Sequence, residues 1–184
     1  MKRLICLLLS FLFIFSFSGC KKDKNESSDG SIDLEYYAKV GQMPETKYAL
    51  GEEIETVNKE LKEIYDTVEE SVYNVSEKED YVKIDSGTFQ YYYKKAKQSE
   101  GISYIVSFDS GFEFALGTVS IEIKNALKKY EYKEEELNEN NSFFVLGSPE
   151  GSILKYEFKD NTVAFVIVDD ALYATAIYKT NDWE

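Results

Sequence analysis

Acid–base, nucleophilic and metal chemistry need particular side chains, and in these 184 residues the supply is lopsided: 34 Asp plus Glu, 21 Lys plus Arg, two Cys and no His. Without imidazole there can be no Ser-His-Asp or Cys-His site, no His-containing zinc site and no histidine acid or base. Paired carboxylates remain, as glycosidases use them, but among 34 acidic residues the sequence marks no pair. Asp109, Asp169 and Asp170 fall at predicted hairpin tips, where they could gather a hard cation. They belong to two separate turns and lack EF-hand spacing, so they read as ordinary turn residues. The expectation is a chain that is not an enzyme, with no catalytic residue, no metal site and no cofactor. A net charge of −13 also argues against nucleic acid, whose binding rests on neutralising phosphates.

The cysteines carry the next signal. Lys2 and Arg3 precede an uncharged apolar run over residues 4–17, which ends at Ser18, Gly19 and Cys20. A run of about 14 residues suits a secretion signal, whereas a membrane-spanning helix takes about 20, so a transmembrane anchor is the second reading. Two cleavage positions are open. Ser16-Phe17-Ser18 meets the small-x-small rule, and Phe17-Ser18-Gly19-Cys20 resembles a bacterial lipobox, in which the Cys is lipidated and becomes the first residue. Residues 21–31 are polar and carry no aromatic or large aliphatic side chain, the composition of a tether. The expected organisation is a signal peptide at 1–19, a lipidated Cys20 with a flexible tether at 20–31, and one globular domain at 32–184. Such a chain is an extracytoplasmic lipoprotein held to a membrane by its lipid. With Cys6 in the discarded run and Cys20 acylated, no thiol remains for a disulfide framework.

Fifteen tyrosines are the other chemical feature, three of them consecutive at Tyr91, Tyr92 and Tyr93. Strand alternation sends Phe89, Tyr91 and Tyr93 to a core face beside Ile102, Tyr104, Val106 and Phe108, and turns Gln90, Tyr92 and Lys94 outward. On a second sheet segment the corresponding outward set includes Tyr173 and Thr175. Exposed Tyr beside small polar residues gives rigid contact area with a hydrogen-bonding tip, so Tyr92, Tyr173, Gln90, Lys94 and Thr175 form the candidate binding set. The competing reading is that aromatic residues simply prefer strands. The functional expectation is a cell-envelope module that binds a protein or peptide, without catalysis, through an open sheet face. Its partner would be an envelope or secreted protein, and basic groups on it would be drawn by the chain's negative charge. The alternatives are capture of a small ligand or cation and, behind it, a carboxylate-based hydrolase.

The elements that must position these residues follow from periodicity. Ile54, Val57, Leu61, Ile64 and Val68 recur at spacings of three and four, predicting an amphipathic helix over 52–72. Residues 119–130 fit both a strand and a helix. Strands are expected over 88–95, 102–108, 112–116, 143–146, 152–158, 162–168 and 171–178, with a weaker one at 81–84 and a polar loop at 134–141. Tyr48-Ala49-Leu50-Gly51 returns 66 residues later as Phe114-Ala115-Leu116-Gly117, and the ungapped continuation pairs Val57 with Ile123 and Leu61 with Leu127. That alignment favours a helix over 118–131 and points to duplication, with copies at about 46–113 and 114–180. The predicted fold class is α+β: two tandem repeats, each a helix plus a four-stranded antiparallel meander, with the helices on one sheet face and the other face in solvent.

An Ala-Leu-Gly element at Gly51 and Gly117, a short amphipathic helix, a Leu146-Gly147-Ser148-Pro149 turn and terminal hairpins together resemble the repeat unit of the β-lactamase-inhibitor-protein-like fold. They are also similar to the single-unit small lipoprotein subunit of the outer-membrane β-barrel assembly machinery. The resemblance spans residues 46–180 and implies a bacterial lipoprotein with tandem repeats. It implies nothing specific about a ligand.

Overall fold

A computed structural model describes residues 32–66, 73–138, 141 and 150–183. Among these residues the chain forms α1 (Leu34–Val40), α2 (Ile54–Tyr65), β1 (Asn74–Glu77), β2 (Tyr81–Asp85), β3 (Phe89–Lys94), a short 3-10 segment (Lys95–Glu100) and β4 (Tyr104–Ser107). The remainder forms β5 (Ser110–Gly111), β6 (Phe114–Ala115), α3 (Ser120–Ala126), β7 (Lys133–Glu136), β8 (Gly151–Glu157), β9 (Asn161–Val168) and β10 (Ala171–Lys179). The architecture is α+β and mostly sheet. Eight strands form one sheet in the order β1-β2-β3-β4-β10-β9-β8-β7, every pair antiparallel, and β5 with β6 forms a separate two-stranded ribbon. No helix among the described residues is long and apolar enough to cross a membrane.

The helices are shorter than periodicity alone predicts. Of the expected apolar stripe, Ile54, Val57 and Leu61 are buried, whereas Ile64 is half exposed and α2 ends at Tyr65. Val68 and the rest of the predicted 52–72 helix beyond 66 lie outside the described residues. The 118–131 helix contracts to Ser120–Ala126, because the chain leaves helical geometry at Leu127 while still burying that side chain. α1 has no counterpart among the predicted elements. Its Asp33 carboxylate accepts the Tyr36 N–H at 3.0 Å, Leu34 and Ala38 are buried one turn apart, and Gly41 closes it in the left-handed conformation at φ 68°.

Three strand expectations also change. The sequence of 134–141 reads as a polar loop, yet Lys133–Glu136 is the edge strand β7. A strand solvated along one edge tolerates four consecutive charges, and cross-strand ion pairs Lys133–Glu157 (2.6 Å) and Lys155–Glu135 (2.8 Å) accommodate them. The strand expected over 112–116 is instead the turn and second arm of the β5–β6 ribbon, with Phe112 and Glu113 at φ 53° and 71°. Phe112 is fully buried against Phe165, and that burial holds a conformation which non-glycine residues seldom adopt. β1 has no counterpart among the predicted strands. The predicted strand over 143–146 lies outside the described residues.

Two apolar clusters form around the sheet. The first joins Leu34, Ala38, Ile54, Val57, Leu61, Ile123 and Leu127 to strand residues that include Ile84, Tyr91, Ile105, Phe165, Leu172 and Ile177. The second contains Tyr92, Tyr104, Val106, Ile153, Val166, Tyr178 and three alanines, with Tyr81, Phe108, Tyr173 and Trp183 packed against it. Strand β4 is thus one residue out of step with expectation. Tyr91 pairs with Ile105 and Tyr92 with Tyr104, so Tyr104, Val106 and Phe108 share the face of Tyr92 and not that of Tyr91. The expectation of a solvated second face fails at the centre of the sheet, where all four residues of β4 and six consecutive residues of β9 are buried. Burial on both faces explains why 163–168 reads as a continuous apolar run instead of an alternating one.

Candidate functional site

The candidate residues derive from strand alternation, and the register decides which of them meet. On β2, Tyr81, Lys83 and Asp85 stand opposite Lys94, Tyr92 and Gln90 of β3. Cross-strand neighbours on one face lie about 5 Å apart, and here they build a connected polar chain. The Tyr92 hydroxyl donates to Gln90 Oε1, Gln90 Nε2 donates to Asp85 Oδ2 at 2.7 Å, and Lys83 Nζ donates to the same oxygen at 3.0 Å. The Gly87 N–H caps the other oxygen, Oδ1, at 3.0 Å. Burial pushes the Tyr92 hydroxyl well above the ordinary tyrosine range, with smaller contributions from Tyr81 and Asp85, so it stays protonated and remains a donor.

These side chains line a groove of about 500 Å³, together with Ser76 and Lys78 at the β1 edge and Phe108 and Tyr173 at the other end. Phe108 and Tyr173 meet edge to face, with ring centroids 6.0 Å apart. Of the five expected binding residues, Gln90, Tyr92 and Tyr173 therefore converge on one groove. Lys94 lies beside it, its ammonium 5.0 Å from the Trp183 ring centroid.

Tyr92 occupies the groove without being an exposed anchor. It is 1% exposed, packed against Tyr81, Tyr104 and Trp183 with centroids 5.6, 5.9 and 6.1 Å away. The returning C-terminal segment accounts for this, since Trp183 Nε1 donates to Ser103 Oγ at 3.1 Å and holds its indole over the face that alternation assigned to solvent.

Thr175 is on the opposite side of the sheet and is also 1% exposed. Simple alternation places Tyr173 and Thr175 on one face, but the β9–β10 register shifts between Leu172 and Ala174. This bulge adds one residue to β10, so Tyr173 stays with the second cluster while Thr175 turns to pair with Phe165 and Ser107. There it packs directly beneath Gly111, where an added Cβ would come 1.8 Å from Thr175 Oγ1.

The acidic turn residues have local explanations. Asp169 and Asp170 adopt left-handed φ values of 51° and 60° in the tight β9–β10 turn, a conformation Asp tolerates better than most residues. Asp170 accepts a hydrogen bond from the Ser120 hydroxyl, while Asp109 sits in the separate turn after β4. Among the described residues no three His, Cys, Asp or Glu side chains come together as a metal-binding group. Cys20 lies outside the described residues.

Lys83, Asp85 and Ser76 were absent from the expected set. Alternation along 81–85 could have found Lys83 and Asp85, since it puts them on the face of Tyr81. Only the register, however, shows that they adjoin Tyr92 and Gln90. The chain matches no protein-family model, no curated protein and no solved structure.

Proposed function

We propose that this chain is a cell-envelope lipoprotein, anchored by lipid on Cys20, that acts as a non-catalytic protein- or peptide-binding module. The observation that carries the binding reading is the convergence of Gln90, Tyr92 and Tyr173 with Lys83 and Asp85 on one groove. Hydrogen bonds already fix the polar heads, so little side-chain freedom is lost when a ligand arrives. The shape favours a segment laid into a groove over a broad flat interface, because the tyrosine expected at the centre of an open face is buried.

We further propose that the domain is built from two tandem repeats with their helices on one sheet face. Gly51 and Gly117, at φ 87° and 82°, stand ahead of α2 and α3. The Gly51 N–H donates to Ile102 O at 2.7 Å, and the Ile102 N–H to Glu52 O at 2.9 Å. The second half has the same pair of bonds, Gly117 N–H to Leu172 O at 2.9 Å and Leu172 N–H to Thr118 O at 2.8 Å. Each helix precedes four strands, β1 to β4 or β7 to β10, and the two meanders join at β4 and β10. The helix residues Val57, Leu61, Ile123 and Leu127 lie in one apolar cluster. These features support the β-lactamase-inhibitor-protein-like resemblance at the level of fold.

The anchor and the groove are tested together in detergent-solubilised envelopes. Wild type and Tyr173→Ala should both label with radioactive fatty acid, Cys20→Ala should not, and Tyr173→Ala should recover markedly less of any partner. Loss of one well-packed interface tyrosine costs on the order of 2 kcal/mol. Labelling of Cys20→Ala at the wild-type level would remove the lipoprotein reading. Equal partner recovery by Tyr173→Ala would remove the groove as the binding site.

A further inference from the structure

We infer that the groove receives an extended, acidic peptide segment of a partner protein, with a carboxylate at Lys78 and Lys83 and an apolar side chain against Phe108 and Tyr173. This deepens the binding reading above and rests on it.

The chemistry of the lining points to an acceptor-rich ligand. The two Asp85 oxygens already accept three N–H bonds, from Lys83, Gln90 and Gly87. The donors are not exhausted: an ammonium carries three N–H groups and an amide two, so Lys83 and Gln90 keep hydrogens beyond those given to Asp85. Lys78, exposed at the mouth, adds a second ammonium, and the lining carries two lysines against one aspartate. The nearby Glu77 is drawn to Lys95 at 3.2 Å. The side chains thus present surplus donors in a protein whose net charge is −13. A peptide supplies a carbonyl at every residue, and an acidic one supplies carboxylates as well.

The groove's course sets the length. Its lining comes from β1, β2 and β3, from Phe108 just after β4, and from β10. Four inter-strand gaps span about 19 Å, the length of about six extended residues. Ring orientation disfavours a sugar, which needs an open aromatic face. Of the rings that line the groove, Tyr92 is enclosed by Tyr81, Tyr104 and Trp183, and Phe108 and Tyr173 meet edge to face. Ser76 Oγ, on the β1 wall, is buried and has no hydrogen-bond partner among the described residues.

The test uses the full-length chain in detergent micelles and a positional-scanning hexapeptide library, with a panel of neutral tetrasaccharides in parallel. The expected result is retention of peptides with Asp or Glu towards one end and Phe, Leu or Tyr towards the other. Lys78→Glu, at an exposed position, should weaken the acidic peptides about fivefold with an unchanged circular-dichroism spectrum, the scale of one exposed charge pair. Tyr173→Ala should abolish the apolar preference. Retention of no hexapeptide, of basic peptides, of the tetrasaccharides instead, or of acidic peptides equally by Lys78→Glu would each overturn the inference. If no peptide is retained while envelope pull-down still depends on Tyr173, the acidic-peptide inference falls and the binding reading stands. If both fail, both fall.

Discussion

Replacing Tyr92 by Ala should destabilise the protein by about 3–5 kcal/mol, the usual cost of removing a large buried aromatic side chain. For a domain of this size that corresponds to a fall of about 6–20 °C in the unfolding midpoint. The ring is 1% exposed, and three aromatic neighbours would lose their contacts to it together. Thermal unfolding followed by circular dichroism measures the effect. Tyr92→Phe separates its parts: that variant keeps the ring and loses the hydroxyl's bond to Gln90, a cost of about 1 kcal/mol. Strand alternation alone predicts the reverse, a solvent-facing anchor whose loss leaves stability nearly intact. An unchanged midpoint for Tyr92→Ala would therefore return Tyr92 to the surface and remove Trp183 from above it.

Gly101→Ala should be comparably damaging, at about 3 kcal/mol or more, because it combines a forbidden backbone conformation with a backbone clash. Gly101 has φ 70° and ψ −155°, a region essentially reserved for glycine. An added Cβ would also stand 2.2 Å from Glu52 O and 2.6 Å from Gly51 O. Those atoms belong to the segment that exchanges hydrogen bonds with Ile102, so relief of the clash would pull that junction apart. Gly117→Ala is the informative comparison. It has φ 82° but nothing within 4 Å of the added Cβ, so it should cost only the backbone term of about 1–2 kcal/mol. Urea unfolding of both variants decides this, and equal losses would mean that the junction at Gly101 can shift without penalty.

Much of the local structure was legible in the residues themselves. The absence of His and the acidic balance bounded the chemistry before any fold was considered. The spacing of Ile54, Val57 and Leu61 identified a helix, and the 66-residue return of the Leu-Gly element marked Gly51 and Gly117, which both adopt positive φ ahead of helices. The hairpin tip predicted at Asp169 and Asp170 does separate two consecutive antiparallel strands, β9 and β10. Such signals are local: helical period, turn chemistry and residue type act within a few positions of one another.

Facing and exposure belong to the tertiary structure, for identifiable reasons. One bulge residue between Leu172 and Ala174 reverses the side-chain parity of β10, which sends Thr175 beneath Gly111 and leaves Tyr173 at the groove. A bulge has no dependable composition, and a single residue of slip exchanges the faces of everything after it. Tyr92 is turned to the expected side of its strand, yet whether that side is wet depends on Trp183, 91 positions later in the chain. The groove likewise needs Lys83 opposite Tyr92 and Asp85 opposite Gln90, with Phe108 and Tyr173 brought alongside by β4–β10 pairing. Residue types and local periods therefore determined that this chain would pair helices with antiparallel strands and hold no imidazole chemistry. Register and chain return, which are long-range contacts that no local window contains, decided which of its tyrosines could meet a ligand.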